Sequence, residues 1–286
     1  MNNTDKVWLI TGSSTGLGRA LAQAVLERGY HLVATARKPE QLEELSDRYP
    51  DRVTTIALDV TNSESIQQSM EAALSAYNRI DVLVNNAGYG TLGAIEEVSD
   101  DDIKRQFDTN LFGALNLTRA VLPTMRARRS GHILNISSVG GVASAAGIGI
   151  YSATKFALEG MSEALAQEVK PLGINVTIIE PGAFRTDFRG RSLVVPAHTI
   201  SDYAETSHKT MQRTQANHGN QSGDPNKAAA AMIQVVESEN PPLRLALGED
   251  SVNLITQKLE SMKVELETWK DVSMSTGFEE AKASVG

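Results

Sequence analysis

The sequence predicts an α/β protein with a doubly wound parallel sheet of about seven strands and helices on both faces. Three observations support this prediction. Short runs rich in β-branched residues alternate with longer helical patterns along the chain. The run Ile80–Val84 is almost wholly apolar, as expected for a strand that is buried on both faces. Glycine-rich and polar segments follow several of these strands, where an open parallel sheet binds its ligands.

The individual elements follow from hydrophobic periodicity and from residues that start or stop helices. The predicted strands are Val7–Thr11, His31–Ala36, Val53–Leu58, Ile80–Val84, His132–Ile136, Val176–Ile179 and Leu243–Leu247. The predicted helices are Leu17–Arg28, Pro39–Tyr49, one capped by Asn62 or Ser63, Asp100–Arg129 capped by Ser99, Tyr151–Lys170, Pro225–Glu237 and Val252–Trp269. We expect one domain over residues 1–286, because no repeat or linker divides the chain. The C-terminal helix, over residues 250–270, is expected to pack back on that domain.

The segment from 185 to 227 differs in character from the rest of the chain. It is rich in small polar residues and has only patchy apolar content. Long loops in compact domains are often lids, so a substrate lid is predicted here. Arg185, Arg189 and Arg191 could hold an acidic substrate group, although a solvated basic loop is the stronger interpretation. Phe184 and Phe188 are expected to supply apolar walls to the pocket.

Composition argues against several classes of function. The net charge of −8 disfavours a nucleic-acid partner, since binding to phosphates needs a basic face. The absence of cysteine removes disulfides, thiolate metal sites and cysteine nucleophiles. The five histidines show no metal-ligand spacing, so no metal site is expected. No apolar run has the length of a membrane span or the pattern of a signal peptide, and we expect a cytoplasmic protein.

A glycine-rich segment joins the first predicted strand to the first helix. It has the sequence Thr11-Gly12-Ser13-Ser14-Thr15-Gly16-Leu17-Gly18. Glycines allow a tight turn, and the amides at a helix N-terminus can bind a pyrophosphate. The spacing differs from the general Gly-x-Gly-x-x-Gly pattern, and an ordinary strand-to-helix turn is the alternative. Its position after the first strand favours a dinucleotide site.

The end of the second strand predicts which dinucleotide is bound. An acidic residue there would bind the ribose hydroxyl of NAD, whereas a basic residue accommodates the phosphate of NADP. Here Arg37 and Lys38 follow the strand, and no acid is present at that point. A guanidinium can bind a phosphate with two parallel hydrogen bonds. We therefore predict NADP(H) in preference to NAD(H), with a solvated basic turn as the alternative.

Two further segments place polar or small residues after strands. Asn85-Asn86-Ala87-Gly88 follows the fourth strand, where small residues let the backbone lie against a ring or a ribose. The strand His132–Ile136 ends in Ser137 and Ser138, and the strand pleat sends these two side chains to opposite faces. Either hydroxyl could hold a substrate oxygen.

Tyr151 and Lys155 form the predicted proton-transfer pair. Residues four apart on a helix share a face. A nearby ammonium, together with an oxidised nicotinamide, favours the phenolate and lowers the pKa of the phenol. Tyrosine can then exchange a proton with a carbonyl or alcohol oxygen. The pair alone is a weak pattern, and Ser137 and Ser138, fourteen and thirteen positions before Tyr151, strengthen it.

Taken in order, these motifs and Pro181-Gly182 after a late strand resemble those of the short-chain dehydrogenase/reductase family, over roughly residues 5 to 190. The resemblance implies a Rossmann-type fold and hydride transfer between a nicotinamide dinucleotide and a ketone, aldehyde or alcohol. By the same resemblance the catalytic residues are Asn110, Ser138, Tyr151 and Lys155. It further implies cofactor contacts from Asp59, Val60, Asn86, Ala87, Gly88, Tyr151, Lys155, Pro181, Gly182, Phe184 and Thr186, in addition to the glycine-rich segment.

The resemblance also bears on substrate, assembly and alternatives. The C-terminal part is similar to that of members acting on retinol-like, steroid-like or other bulky ketones. A homodimer or homotetramer through the helices Asp100–Arg129 and Tyr151–Lys170 is expected. An epimerase or dehydratase with retained cofactor is one alternative, but its usual Gly-x-x-Gly-x-x-Gly motif is absent. A non-catalytic dinucleotide sensor is the other, but such proteins tend to lose the tyrosine or the lysine.

Overall fold

The computed structural model describes residues 5–190 and 192–278. Its strands are β1 (Val7–Ile10), β2 (His31–Ala36), β3 (Val53–Ala57), β4 (Val82–Asn85), β5 (Gly90–Thr91), β6 (Gly131–Ile136), β7 (Ile174–Pro181), β8 (Leu193–Val194) and β9 (Arg244–Leu247). Seven of these form one sheet in the order β3-β2-β1-β4-β6-β7-β9, and β5 pairs with β8. Every pairing in the large sheet is parallel. The predicted doubly wound, Rossmann-type sheet is confirmed.

The helices lie on both faces of this sheet. They are α1 (Gly16–Glu27), α2 (Glu43–Arg48), α3 (Ser63–Tyr77), α4 (Asp100–Phe107), α5 (Gly113–Arg128), α6 (Gly149–Val169), α7 (Lys209–Ala216), α8 (Pro225–Glu237), α9 (Glu249–Thr268) and α10 (Lys270–Met274). The side chain of Asn62 accepts a hydrogen bond from the Ser65 amide at 2.9 Å, so Asn62 is the cap of α3. Ser99 caps α4 in the same way. Short 3₁₀ turns or small shifts account for most differences from the predicted bounds.

Two hydrophobic clusters hold these layers together, one on each face of the sheet. In β1, Trp8 and Ile10 join the cluster under α1 and α8, whereas Val7 and Leu9 join the cluster under α3, α5 and α6. This alternation follows from the strand pleat. Each large apolar side chain that is fully buried stabilises the fold by roughly 1.5–3 kcal/mol. A strand apolar on both faces is therefore stable only between two helix layers.

The long helix predicted from Asp100 to Arg129 is interrupted once. A π-helical turn, Asp108–Phe112, lies between α4 and α5. The turn contains the buried Asn110. In a π-helical turn each backbone hydrogen bond spans five residues instead of four, which changes the direction of the side chains in the turn. Such turns occur often at functional sites. Periodicity alone did not reveal this turn, because the sequence predicted one continuous helix from Asp100 to Arg129.

The prediction that the C-terminal helix packs back on the domain is wrong. α9 forms with nearly the predicted bounds, and its first turns contact β9 and the segment Val139–Gly141. Ser251 is buried, but all residues from Ser261 to Phe278 are exposed. The apolar stripe that suggested packing is real, yet the helix axis leaves the domain after its first turns. Within the described parts of the chain, no helix has the length and apolar character needed to cross a membrane.

Candidate active site

The carboxyl ends of five neighbouring strands form one edge that holds nearly all of the predicted site residues. The sheet order reverses direction between β1 and β4, which is where parallel sheets of this kind bind ligands. The segments after β1, β4, β6 and β7 meet at this edge, with the end of β2 beside them. The sequence placed functional residues just after strands, and the observed sheet brings those positions together.

The glycine-rich turn after β1 is shaped by backbone conformations that favour glycine. Gly12 and Gly16 have positive φ angles of 67° and 60°. A Cβ atom on Gly18 would lie 2.4 Å from both the Asn86 side-chain nitrogen and the Gly12 carbonyl oxygen. Thr15, the residue before α1, makes no side-chain hydrogen bond to the helix. The first amide groups of α1 thus face the turn without a side-chain cap.

Asn86 and Ala87, after β4, fix the position of this turn. The Asn86 side-chain amide donates to the carbonyl oxygens of Thr11 and Gly12 at 2.8 and 3.2 Å. The backbone amides of Asn86 and Ala87 both donate to the Thr11 hydroxyl at 2.9 Å. These contacts brace the end of β4 against the turn that follows β1.

Ser138, Tyr151 and Lys155 meet on the other side of this edge. Lys155 is buried, and its ammonium donates a 2.7 Å hydrogen bond to the Ile136 carbonyl. The Lys155 nitrogen lies 5.8 Å from the centre of the Tyr151 ring. A Cβ atom on Gly140 would lie 3.4 Å from both the Ser138 hydroxyl and the Tyr151 ring, so these two side chains border one small space. Ser137 is buried beside Gly141 and Glu159, which leaves Ser138 as the serine that borders this space.

The pKa values of this group are set mainly by burial. Burial raises the pKa of Tyr151 to about 12, and the nearby Ser138 hydroxyl opposes this rise. Burial lowers the pKa of Lys155 to about 8, and the Glu159 carboxylate partly offsets the effect. The expected lowering of the tyrosine pKa is thus not achieved by the protein's own groups.

Asn110 lies beside Gly88, in the π-helical turn that follows the end of α4. Its side-chain amide donates to the Tyr89 carbonyl at 2.9 Å and to the Thr154 hydroxyl at 3.2 Å. Its oxygen accepts from the Tyr89 amide at 3.1 Å. A Cβ atom on Gly88 would lie 3.1 Å from this oxygen and 3.8 Å from the Lys155 nitrogen. The π-helical turn therefore brings Asn110 to the same space as Lys155.

The residues predicted to contact the adenosine part lie at the ends of β2 and β3. Arg37 and Lys38 are exposed, and within the described chain their side chains make no hydrogen bond or ion pair. Asp59 is also exposed, and one of its oxygens accepts hydrogen bonds from the Thr61 amide and hydroxyl at 2.9 and 2.7 Å. Val60 is buried against Gly113, where an added Cβ atom would lie 2.7 Å away. Arg37, Lys38 and Asp59 therefore border the same part of the site.

The end of β7 returns the chain to the glycine-rich turn. Thr186 lies against Gly16, since a Cβ atom there would be 3.6 Å from the Thr186 Cβ. The carboxylate of Asp250 accepts a 2.7 Å hydrogen bond from the Ala183 amide. The same carboxylate fills the space next to Gly182, where an added Cβ atom would lie 2.1 Å away. Sequence reasoning missed Asp250, because it belongs to no motif and its contact with the Ala183 amide joins residues 67 apart in the chain.

The segment predicted as a lid contains regular structure and is tied to the body of the protein. Glu97 accepts hydrogen bonds of 2.7 Å from the Ile200 amide and from His208. Phe188 packs against Tyr151 with ring centres 5.9 Å apart, and Phe184 packs on the core cluster under α1 and α8 instead. Arg185 donates to the Gln221 carbonyl at 3.2 Å, within the lid. The Arg189 side chain and the whole of Arg191 lie outside the described residues.

These features fit a dinucleotide bound along the strand ends. A pyrophosphate suits the uncapped start of α1, because the positive φ of Gly12 and Gly16 and the absence of a side chain at Gly18 leave the backbone amides accessible. Gly88 has no side chain to separate its backbone from Asn110 and Lys155, which lie beside it. The fit rests on the shape of the backbone and on donor groups from four separate segments.

A doubly wound parallel sheet with this glycine-rich turn after β1 is the architecture of dehydrogenases that bind a nicotinamide dinucleotide. The chain belongs to the short-chain dehydrogenase family, whose model matches residues 6–193. It is therefore an oxidoreductase, and the hydride transfer predicted from the sequence fits this family.

Three known proteins illustrate the similarity. Oxidoreductase BOA17 from Botryotinia fuckeliana is 40% identical, over 95% of this chain and 99% of that protein. The 3-ketodihydrosphingosine reductase from Bacteroides thetaiotaomicron is 41% identical, over 85% of this chain and 88% of that protein. The crystal structure of a short-chain dehydrogenase from Streptomyces avermitilis has a TM-score of 0.91 and 47% identity, with 97% and 100% of the two chains covered. Solved structures of the fold hold NADP+ in one case and NADH in another, at 29% and 25% identity.

Proposed function

We propose that this oxidoreductase interconverts a ketone or aldehyde and its alcohol with NADP(H), and that Tyr151 exchanges the proton. One observation supports this above all. The Tyr151 and Ser138 side chains border one space beside Gly140, and the ammonium of Lys155, which lies next to the Tyr151 ring, meets Asn110 at Gly88. A reacting oxygen placed in that space reaches a proton donor and a hydrogen-bond donor together.

In the reductive direction, the Ser138 hydroxyl donates a hydrogen bond to the substrate carbonyl oxygen. The Tyr151 hydroxyl donates its proton to that same oxygen as the carbonyl carbon is reduced. In the oxidative direction the phenolate of Tyr151 accepts the proton of the alcohol. Proton transfer by a positioned side chain typically contributes about 10²–10⁴-fold to a rate.

Lys155 and Asn110 prepare the tyrosine for this exchange. The ammonium of Lys155 is held by the Ile136 carbonyl and retains donors for a ribose hydroxyl. Its positive charge stabilises the phenolate that forms when Tyr151 gives up its proton. Asn110 fixes the Tyr89 backbone and faces Lys155 across Gly88, where it supports a water-linked path that returns the proton.

The bound dinucleotide supplies or accepts the hydride. The residues proposed to hold its pyrophosphate are Gly12, Ser14, Thr15, Gly16, Leu17 and Gly18. Asn86, Ala87, Gly88, Pro181, Gly182, Phe184 and Thr186 are proposed to border its nicotinamide half, and Asp59 and Val60 its adenine. The preference for NADP(H) is supported by Arg37 and Lys38, whose exposed side chains have no partner within the described chain and follow β2 at the position that meets a ribose phosphate.

The proposed substrate carries an extended apolar group. Phe188 lies against Tyr151, and both Phe188 and Leu193 approach Gly90. These apolar side chains border the space that a substrate must enter beside the tyrosine. Apolar walls with few polar groups favour a bulky carbonyl compound. The relative named as a 3-ketodihydrosphingosine reductase supports the same class.

A homo-oligomer through the two long helices remains part of the proposal. Phe112, just before α5, and Phe156 on α6 are 46% and 45% exposed. Large aromatic side chains at a surface are common at protein interfaces. Their exposure supports pairing of these helices between subunits.

The function is tested with a panel of carbonyl compounds followed through NADPH absorbance. The panel contains long-chain ketones, steroid and retinoid carbonyls, quinones and small aldehydes. We expect the highest kcat/KM for a bulky apolar member, with NADPH preferred over NADH. Absence of turnover in both directions, with bound cofactor that does not exchange, would contradict the proposal and favour an epimerase or dehydratase.

A further inference from the structure

α9 leaves the body of the protein with an exposed apolar stripe. Val252, Leu259 and Met262 are 49, 57 and 52% exposed, and Leu266 and Trp269 are 64 and 62% exposed. These values are high for large apolar side chains. Within the described residues nothing covers this stripe beyond the first turns of the helix. A surface of this kind indicates an interaction site.

The spacing of the stripe identifies the kind of contact. Six apolar positions recur every three and four residues in strict alternation, and they are Val252, Ile255, Leu259, Met262, Leu266 and Trp269, whereas the exposed Leu254 and Val264 lie outside this alternation. A helix that packs on its own domain usually has a wider apolar face, whereas strict alternation of three and four gives the narrow seam of a coiled coil. The stripe extends about 25 Å along the helix at 1.5 Å per residue. Its shape therefore fits one other helix.

We propose that α9 pairs with α9 of a second copy of this chain, antiparallel, about a two-fold axis between Glu260 and Ser261. In this register every residue of the apolar stripe lies opposite a residue of the partner's stripe. Val252 lies opposite the partner's Trp269, Ile255 opposite the partner's Leu266, and Leu259 opposite the partner's Met262. A closed two-fold contact uses the same surface on both copies.

The charges that flank the seam select both the partner and the direction. Lys258 and Glu265 lie on one side of the seam, so an antiparallel pair brings Lys258 opposite the partner's Glu265 twice. On the other side, Glu249 lies opposite the partner's Lys270, also twice. A parallel pair would instead bring Lys258 opposite the partner's Lys263, which is repulsive, and Glu265 opposite the partner's Lys270, which is attractive. All of these flanking contacts are attractive only when the helices are antiparallel.

The same charges disfavour a lipid surface as the occupant. Residues 249–274 contain six acidic and three basic side chains. Helices that lie on membranes usually have a polar face rich in lysine and arginine, which binds anionic lipids. A net negative helix with lysine and glutamate alternating beside the seam is instead typical of helix pairing.

Disulfide cross-linking tests the register directly, because the natural chain has no cysteine. Ile255→Cys and Leu266→Cys are prepared as separate proteins, mixed under reducing conditions and then oxidised. We expect a disulfide-linked dimer in the mixture and little in either protein alone. Gln257→Cys mixed with Val264→Cys is the matched control, since these positions face away from the seam and should not cross-link.

Other outcomes of this experiment would overturn the proposal. Cross-linking of either protein alone would indicate a parallel pair. Absence of a disulfide in the mixture, together with an oligomeric state that Leu259→Asp leaves unchanged, would exclude pairing through this helix. Binding of the wild-type protein to phosphatidylcholine vesicles that Leu259→Asp abolishes would assign the stripe to a membrane.

Charge reversal gives a second, independent test by sedimentation equilibrium. Lys258→Glu turns two attractive contacts into repulsive ones, and we expect a dissociation constant about tenfold higher. The double change of Lys258→Glu with Glu265→Lys should restore the wild-type value. Tighter association of Lys258→Glu alone would overturn the antiparallel arrangement, because only a parallel pair gains from this change.

Discussion

The ammonium of Lys155 donates a 2.7 Å hydrogen bond to the carbonyl oxygen of Ile136, two residues before Ser138. This contact links α6 to the end of β6. Because Tyr151 lies one turn before Lys155 on the same helix face, the link also sets the position of the phenol relative to the serine. The geometry of the site thus depends on one bond between a helix side chain and a strand backbone.

The buried position of Lys155 predicts that its ammonium group lowers the stability of the fold. Its pKa is lowered to about 8, so below that pH the buried ammonium destabilises the fold, and stability rises between pH 8 and the ordinary lysine pKa of about 10.4. Lys155→Met removes the charge but leaves the Ile136 carbonyl without its donor, which costs roughly 1–3 kcal/mol. We expect a net gain of about 1 kcal/mol at pH 7 and a higher Tm, together with a large loss of turnover.

Thermal unfolding at pH 7 measures this effect. Lys227→Met, at an exposed position of α8, is the control and should leave Tm nearly unchanged. A Tm of Lys155→Met clearly below that of the wild type would show that the ammonium stabilises the fold.

Two helix glycines should respond to alanine in opposite ways. Gly18→Ala places a Cβ atom 2.4 Å from the Gly12 carbonyl and the Asn86 amide, so we expect a loss of about 1–3 kcal/mol and weaker cofactor binding. Gly160 in α6 has no atom within 4 Å of an added Cβ atom, and Gly160→Ala should gain roughly 0.5–1 kcal/mol. Denaturant unfolding compares the two, and equal stability changes would refute the close packing at Gly18.

Arg37 should determine cofactor preference. Arg37→Ala removes a guanidinium proposed to bind the ribose phosphate, and charge-assisted hydrogen bonds of this kind contribute roughly 1.5–3 kcal/mol. We therefore expect the Kd for NADPH to rise about 10- to 100-fold while the Kd for NADH changes little. Fluorescence titration with both cofactors checks this, and Lys227→Ala, at an exposed position of α8, serves as the control. A parallel loss for the two cofactors would place Arg37 elsewhere in the site.

Glu97 should hold the lid closed over the substrate. Its hydrogen bonds to the Ile200 amide and to His208 also keep its pKa below the usual value. The stabilising contact is therefore present above the ordinary glutamate pKa and is lost as pH falls through the lowered value. Glu97→Ala should raise KM for the substrate several-fold with little change in cofactor affinity, and it should speed proteolysis within residues 185–227.

Glu96→Ala is the matched control for that experiment. Glu96 accepts a hydrogen bond of 2.6 Å from the Tyr203 hydroxyl at an exposed position, so its loss should matter much less. Equal effects of the two substitutions would show that the lid is not held by Glu97.

The fold and the strand-end positions could be predicted from the sequence because each depends on local patterns. Burial on both faces requires an apolar strand such as β4, and a tight turn requires glycine at Gly12 and Gly16. The hydrogen bond between Glu97 and His208 could not be predicted, since the two residues are far apart in the chain and neither belongs to a motif. The same limit applies to Asp250, whose carboxylate meets the Ala183 amide only after α9 has docked its first turn.

The direction of α9 could not be predicted from hydrophobicity either. An apolar stripe has nearly the same pattern whether it covers its own domain or another helix. The strict alternation of three and four residues from Val252 to Trp269 was the available signal, and it indicates the second arrangement.

The most direct test of the proposed mechanism is the kinetics of Tyr151→Phe on a substrate identified in the carbonyl panel. The substitution removes the hydroxyl and keeps the ring that packs against Phe188. We expect kcat/KM for NADPH-dependent reduction to fall by about 10²–10⁴-fold while the Kd for NADPH stays within a factor of about two. Turnover close to that of the wild type would contradict the assignment of Tyr151 as the proton donor.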